Sequence, residues 1–379
     1  MRIGFEGKVL TAQAGGTGRY AINLLRALLA APAAIASDIE FVIFTGPQTT
    51  QELLHGFTGR YCERFLAAKS SLVRALALIP AALRRERIDV FHGLDHVAIP
   101  LVGKRGRYVA SIHDVIPLKF PHLFTAKHRF MVRAGLARIA KQADLVIAPS
   151  QATREDILAY TPLCKDRVCV IPAGCEPQFA PEADPERLAQ VRSRYALPAH
   201  YILALGTLEP RKNLPALLQA FAELRQRRDV NPQLQLVLAG ARGWKEGEIF
   251  RTFKRLGLEQ TVVFPGFIAE HDLPDVYRGA TCFAFPSLYE GFGFPVLEAM
   301  ACGIPVLASN TSSMPEVAGN AALLVDPGDI AAMAEALYRL LSDAALRTEL
   351  RRKGLIRSRL FTWDITAQKM LDLYHSLRA

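Results

Sequence analysis

Short apolar runs alternate along this chain with longer stretches whose apolar residues recur every three or four positions. Six runs of strand length come first: "RIGF", "EFVIFTG", "VFHG", "YVASIHD", "DLVIAPS" and "VCVIPAG". Six more follow: "YILALGT", "QLVLAGA", "TVVFPGF", "CFAFPSL", "PVLAS" and "ALLVDP". Most lack alternating polar positions, which is the pattern of parallel strands covered on both faces. "LPALLQAFAELRQR" and "DIAAMAEALYRLLSDAALRTELRRKG" have helical spacing and are each read as a helix. Strand–helix–strand repetition predicts an α/β protein with parallel sheets.

The proline- and acid-rich stretch 176–190, "EPQFAPEADPERLAQ", separates the two series and reads as a linker. Two doubly wound, Rossmann-like domains are therefore expected at 1–178 and 190–360. A last helix over 361–379, with Trp363 near its start, can pack back on the first domain. Ligands of such sheets lie outside the carboxyl ends of the strands, so a deep cleft between two such domains is the expected site.

Composition adds little to the fold but something to the partners. The chain has 379 residues and a formal net charge of +10. Residues 1–180 carry 23 Lys and Arg against 14 Asp and Glu, whereas 181–379 carry 23 against 22. The excess gathers at Arg60, Arg64, Lys69, Arg74, Arg84, Arg85, Arg87, Lys104, Arg105 and Arg107, between apolar segments. Such a face can sit on anionic lipid, or it can be a solvated helix face packed on a sheet. No stacking-aromatic pattern accompanies it, so nucleic acid is not an expected partner. No apolar run is long enough to span a bilayer, and no signal peptide precedes "RIGF". Six scattered cysteines without a C-x-x-C pair indicate neither a zinc site nor a disulfide framework, and a reducing cytoplasm is the expected compartment.

In "QAGGTGRYAINLL", residues 13–25, glycines precede a helical pattern, as in turns that cradle phosphate. Gly16, Gly18 and Ala21 satisfy the dinucleotide spacing, but Gly15 lies about ten residues beyond the first strand. The second strand also ends in Phe44, Thr45 and Gly46, with no acid to hold a ribose. A nicotinamide cofactor is thus disfavoured. Another anion, or a flexible turn with no ligand, stays open.

"FPSLYEGFGFPVLEAMACGIPVLAS", residues 285–309, places Glu290 on a loop and Glu298 one turn inside a helix that Pro295 starts and Gly303 and Pro305 end. Two carboxylates beside free helix N–H groups can hold hydroxyls and phosphate together, as a nucleotide-sugar requires. The plain alternative is a capped helix with a solvated Glu. In "GTLEPRKNL", Arg211 and Lys212 follow the first strand of the second domain and can neutralise a departing diphosphate. His113 in "SIHDVIP" follows a central strand of the first domain, while His92 and His96 end a neighbouring one and could line the acceptor side. Ser150 reads as a helix N-cap. No D-x-D occurs, so no metal is expected and no cofactor is indicated.

With these residues in view, the chain resembles the retaining GT-B glycosyltransferases of family 4 over nearly its whole length. The most specific element is the E-x7-E of Glu290 and Glu298, and "GTLEPRKN", the early glycine turn and "HDVIP" agree with it. The resemblance implies that Gly15 and Gly16 lie against the donor phosphates and that Arg211 and Lys212 bind the leaving diphosphate. It implies that Glu290, Gly291, Phe292 and Gly293 hold the donor sugar, that Glu298 binds the ribose, and that His113 contacts the sugar near the reacting carbon. It places Gly266, Phe267 and Ile268 beside the base. It further implies metal-independent transfer of a hexose, with retention, from a nucleotide-sugar to a saccharide or lipid-linked saccharide. "HDVIPL" and "SNTSSMPEVAGNAALLVDPGD" resemble bacterial mannosyltransferases of surface polysaccharide synthesis, so mannose from GDP-mannose is favoured and a UDP-sugar such as UDP-glucose is the alternative. The enzyme is then expected in the cytoplasm, with the inner face of the membrane as a candidate partner surface. A glycoside hydrolase and a non-catalytic nucleotide-sugar-binding protein are the rival readings.

Overall fold

The fold is given by a computed structural model, which describes residues 1–11, 15–32, 38–47, 49–50, 61–68, 73–95 and 106–378. Contacts divide the chain into two compact units, Met1–Gly174 with Phe361–Ala379, and Cys175–Leu360.

The first unit holds a sheet of β1 (Arg2–Glu6), β2 (Glu40–Thr45), β3 (Tyr61–Phe65), β4 (Val90–Gly93), β5 (Arg107–Ser111), β6 (Leu145–Ala148) and β7 (Val168–Val170). All its pairs are parallel, in the order β3-β2-β1-β4-β5-β6-β7. The second unit holds β8 (Tyr201–Leu205), β9 (Gln235–Ala239), β10 (Val262–Gly266), β11 (Cys282–Phe285), β12 (Val306–Ser309) and β13 (Ala322–Val325), also parallel, in the order β10-β9-β8-β11-β12-β13. Both orders reverse beside their first strand, at β1/β4 and at β8/β11. Such switch points open a crevice at the carboxyl ends of the two strands.

Apolar strands make these sheets because helices cover them. In the second unit, Leu217, Leu218 and Phe221 of helix Leu214–Leu224 pack with Leu236 and Leu238 of β9 and with Leu337 of helix Ile330–Ser342, all at 0–1% exposure. In the first unit, Phe44, Phe91 and Tyr108 form the equivalent core with Leu136 and Ile139.

Three elements differ from the sequence reading, each for a local reason. β3, "YCERF", is an edge strand of half-buried and exposed residues, so it lacks the apolar run that marks the others. The 329–354 pattern is two helices, because Asp343 ends one and caps the next: its N–H donates to Arg339 O, and its carboxylate accepts from Leu346 N. Within the supposed linker a helix begins at Pro185, capped by Asp184, which accepts from Glu186 N at 3.0 Å. Proline there is an N1 residue rather than a loop signal.

The last helix, Trp363–Ser376, belongs to the first unit. The backbone of Gly174 passes so close to Trp363 that a Cβ on Gly174 would lie 2.2 Å from Trp363 N. Thr366 donates from Oγ1 to Pro172 O at 2.8 Å.

One cation of the supposed basic face is interior. Arg74 is 4% exposed and pairs with Glu6 (Nη2–Oε1, 2.7 Å), while donating to the carbonyls of Phe44, Thr45 and Leu66. It ties the carboxyl ends of β1 and β2 together and cannot meet lipid. Arg64 and Arg85 pair with Glu86, and Arg107 pairs with Asp144. Arg60, Lys69, Lys104 and Arg105 lie outside the described residues. Arg74→Ala leaves the buried Glu6 without its counter-ion and takes a charged donor from three interior carbonyls. It is expected to cost about 3–5 kcal/mol, measured as a fall in the denaturant midpoint of the first unit's transition.

Candidate active site

The second unit gathers its charge at its switch point. The chain leaves β8 through Gly206, whose φ of +143° only glycine adopts readily, and where a Cβ would lie 2.9 Å from Lys212 Cε. A tight turn, Pro210–Lys212, follows and ends on Asn213 in the left-handed region, whose side chain donates to Pro327 O at 2.7 Å. This turn aims Arg211 and Lys212 at the segment leaving β11, where Leu288 N–H donates to Arg211 O.

The two cations converge on one carboxylate. Lys212 Nζ lies 2.7 Å from Glu290 Oε1 and 4.6 Å from the centre of the Phe285 ring. Arg211 pairs with Oε2 of Glu290 and with Oε1 of the buried Glu209, and it also donates to Tyr289 O. Ser287 donates to Glu290 Oε1 at 2.7 Å, and Glu290 N–H donates to Ser312 Oγ at 3.0 Å. Burial opposes ionisation of Glu290, but Arg211 and Lys212 outweigh it and bring its pKa down to about 2. Burial also lowers the pKa of Lys212 from its usual value, against the pull of Glu290.

The loop then enters helix Phe294–Ala301 through Gly293, with Pro295 in the first turn. Gly293 has φ +107°, and a Cβ there would lie 2.3 Å from Met314 Cε, so both backbone and space demand glycine. Gly291, Phe292 and Gly293 are buried, and Ser313 fastens the loop by donating to the carbonyls of Glu290 and Phe292. Glu298 sits in the helix body at 1% exposure and accepts from Tyr277 Oη at 2.8 Å. The E-x7-E thus becomes one carboxylate in a charge cluster and one inside the packing beneath it. At the end of β10, Gly266 turns at φ +80°, Phe267 is 72% exposed and Ile268 is buried. Just beyond, Ala269 N–H donates to Tyr195 Oη.

In the first unit, Gly15 caps helix Gly16–Ala30. A Cβ on Gly15 or Gly16 would meet nothing within 4 Å, so packing does not require these glycines and space lies open above them. His113 follows β5 and donates from Nε2 to Leu94 O at 2.9 Å, with Tyr20 edge-on to its ring at 4.7 Å. His92, read as an acceptor-side residue, is instead fully buried: Nδ1 bonds Tyr374 Oη at 2.6 Å and Nε2 bonds Ser111 Oγ at 2.9 Å. It cannot touch an acceptor, because its alternate-position side chain points into the packing under the last helix. Burial brings its pKa down to about 3, and His113 adds to that. His96 lies outside the described residues. Ser150 caps its helix by accepting from Thr153 N.

With this geometry in hand, the matches to known proteins are specific. Residues 192–356 match the model for "Glycosyl transferases group 1", and residues 14–179 match that for "Glycosyltransferase Family 4". This chain belongs to the group 1, family 4 glycosyltransferases. The glycosyltransferase is 29% identical, over the whole of both chains, to O-antigen chain mannosyltransferase B of Escherichia coli. Over 73% of its length it is 35% identical to the E. coli serotype-specific mannosyltransferase WbdA, of which it spans 34%. The Anabaena protein HepE, solved with UDP and glucose, superposes with a TM-score of 0.76 at 21% identity, covering 99% of this chain and 100% of that one. Two parallel-sheet Rossmann-like units of this kind constitute the GT-B fold.

The charges are legible in the sequence, but their supports are not. Glu209, Ser287, Ser312, Ser313 and Tyr277 hold Arg211, Glu290 and Glu298 in place. Glu209 stood in plain view inside "GTLEPRKNL", whereas a serine carries no signal until its neighbour across the sheet is known.

Two acid windows follow from these groups. The depressed pKa of His92 costs stability as pH falls from about 6.5 towards 3, because the unfolded chain takes up the proton first. The stability that ionised Glu290 supplies is complete above about pH 4.5 and is lost as pH falls towards 2. In acid titrations followed by circular dichroism, His92→Gln is expected to flatten the upper window and Glu290→Gln the lower.

Proposed function

We propose that this glycosyltransferase moves mannose from GDP-mannose to a hydroxyl of a saccharide or lipid-linked saccharide in surface polysaccharide synthesis, retaining the anomeric configuration. The observation that carries the reading is the shared grip of Arg211 and Lys212 on Glu290 at the carboxyl ends of β8 and β11. Two cations and one ionised carboxylate at a single switch point suit a ligand with a diphosphate at one end and hydroxyls at the other. The O-antigen mannosyltransferase matched over its full length supports mannose as the sugar.

In this reading Arg211 and Lys212 stabilise the charge that grows on the diphosphate as the glycosidic bond breaks. That interaction is stronger in the transition state than in the ground state. Glu290 holds both cations in register and, with the backbone of Gly291, Phe292 and Gly293, receives the sugar hydroxyls. Glu298 serves the ribose, which requires its bond from Tyr277 to be shared or exchanged. Phe267, with Gly266 and Ile268, offers a flat apolar surface to the base. Gly15 and Gly16 approach the phosphates, and His113 meets the sugar near the reacting carbon. The leaving phosphate oxygen takes the acceptor proton on the face that it departs from. No metal takes part. The reaction runs on the cytoplasmic side, where a lipid-linked acceptor would be presented at the membrane face.

The deciding assay offers GDP-mannose and UDP-glucose to the enzyme with a mannose-terminated oligosaccharide, in EDTA. Transfer from GDP-mannose with retained configuration is expected. Preference for UDP-glucose would replace the donor, and release of free sugar from an oligosaccharide alone would replace transfer by hydrolysis. Lys212→Ala is expected to lower kcat by about a hundredfold or more while donor affinity changes far less; equal losses would count against its transition-state role, and donor binding with no product from any acceptor would point to a binding protein. Gly16→Ala is expected to leave the melting temperature unchanged or raised, since alanine favours a helix start over glycine, yet to raise the donor KM.

A further inference from the structure

The cations between residues 60 and 107 that the structure describes are mostly engaged, but a different surface of the first unit is not. Helix Ala126–Gln142, "AKHRFMVRAGLARIAKQ", carries Lys127, Arg129, Arg133, Arg138 and Lys141 and no acid. Its inner face buries Val132, Leu136 and Ile139 in the core of the unit. Its outer face presents Phe130 at 73% exposure and Met131 at 49%, with Ala134 and Ala137 also exposed beside them. Lys127, Arg133 and Lys141 are exposed around this apolar strip, and none of them pairs with an acid among the described residues.

Three features make this face unlike a solvated one. Phe130 has the highest exposure of the large apolar side chains on the described surface. Phe130, Ala134 and Ala137 fall at helical spacing, so they form a strip rather than scattered residues. The surrounding charge has a single sign over seventeen residues, whereas ordinary surface helices intersperse both signs to make i,i+4 pairs. A strip of Phe, Met and Ala edged by unpaired Lys and Arg has the chemistry of a helix lying in the interface of an anionic bilayer. There the aromatic ring enters the acyl boundary and the long cationic chains reach back to the headgroups.

We propose that the outer face of helix Ala126–Gln142 docks this enzyme on an anionic membrane surface, with Phe130 and Met131 inserted and Lys127, Arg133 and Lys141 on the lipid phosphates. The helix is the next long one after His113, joined to it by the segment Asp114–Thr125, so the docking face belongs to the same unit as His113. This deepens the function proposed above by naming the surface that meets a lipid-linked acceptor, and it rests on that reading only for its purpose.

The test is cosedimentation of the full chain with vesicles of phosphatidylcholine, with and without phosphatidylglycerol, in the absence of donor and acceptor. Binding to the phosphatidylglycerol vesicles, weakened by salt, is expected, with little binding to phosphatidylcholine alone. Phe130→Ser with Met131→Ser, and separately Lys127→Glu with Lys141→Glu, are each expected to weaken binding by about tenfold or more. Arg84→Gln, in the other basic stretch, is expected to bind as the parent does. Both double variants alter exposed side chains, so an unchanged melting temperature and unchanged transfer to a soluble oligosaccharide accompany the expected result. Absence of binding to anionic vesicles, or binding that the helix variants leave intact, overturns the proposal. So does retention on an acidic protein or nucleic acid when vesicles are not bound. Failure of mannosyl transfer with intact vesicle binding would instead overturn the function and leave the docking face standing.

Discussion

Glu290 is the fixed point of the second unit. It lies on the segment leaving one strand of the switch point and clasps two cations on the segment leaving the other. An ionised carboxylate this enclosed persists only because Arg211, Lys212 and Ser287 answer its charge. The two cations in turn are kept close to each other, against their repulsion, only because Glu290 and Glu209 stand between and behind them. The turn after β8, the left-handed Asn213 and the glycine at 206 are the backbone consequences of placing that clasp.

Much of this was legible from the chain because the signals were local. Apolar runs of strand length marked twelve of the strands, and the glycine–proline punctuation around residues 291–305 fixed where helix Phe294–Ala301 begins and ends. Arg211, Lys212 and Glu290 could each be singled out from their neighbours in sequence. What could not be read was pairing across the sheet. Nothing in "GTLEPRKNL" or in "SLYEGFGFP" says that the first supplies the counter-ions of the second. The same limit explains His92 and Arg74. Each sits in an unremarkable local pattern, and each proves interior because a distant element, the last helix or the end of β2, closes over it.

The local excess of charge along the chain differs from the charge at the surface for a related reason. A local excess of Lys and Arg says how many cations are present, not how many are spent. Arg64, Arg74, Arg85 and Arg107 neutralise acids of the same unit, and Arg74 does so out of contact with water. On helix Ala126–Gln142, Lys127, Arg133 and Lys141 are exposed and pair with no acid among the described residues. Surface electrostatics therefore follow from the pairing pattern more than from the sum.

The buried chain of Tyr374, His92 and Ser111, continued to Tyr20 at 3.1 Å, joins residues far apart in the sequence. It gives the two units different histories during synthesis. Cys175–Leu360 is continuous and has all its parts once its last helix leaves the ribosome. The unit begun first is completed last, since His92 keeps an unanswered ring nitrogen until Tyr374 arrives. The nascent chain must carry that sheet, still without its last helix, through the whole translation of the unit behind it.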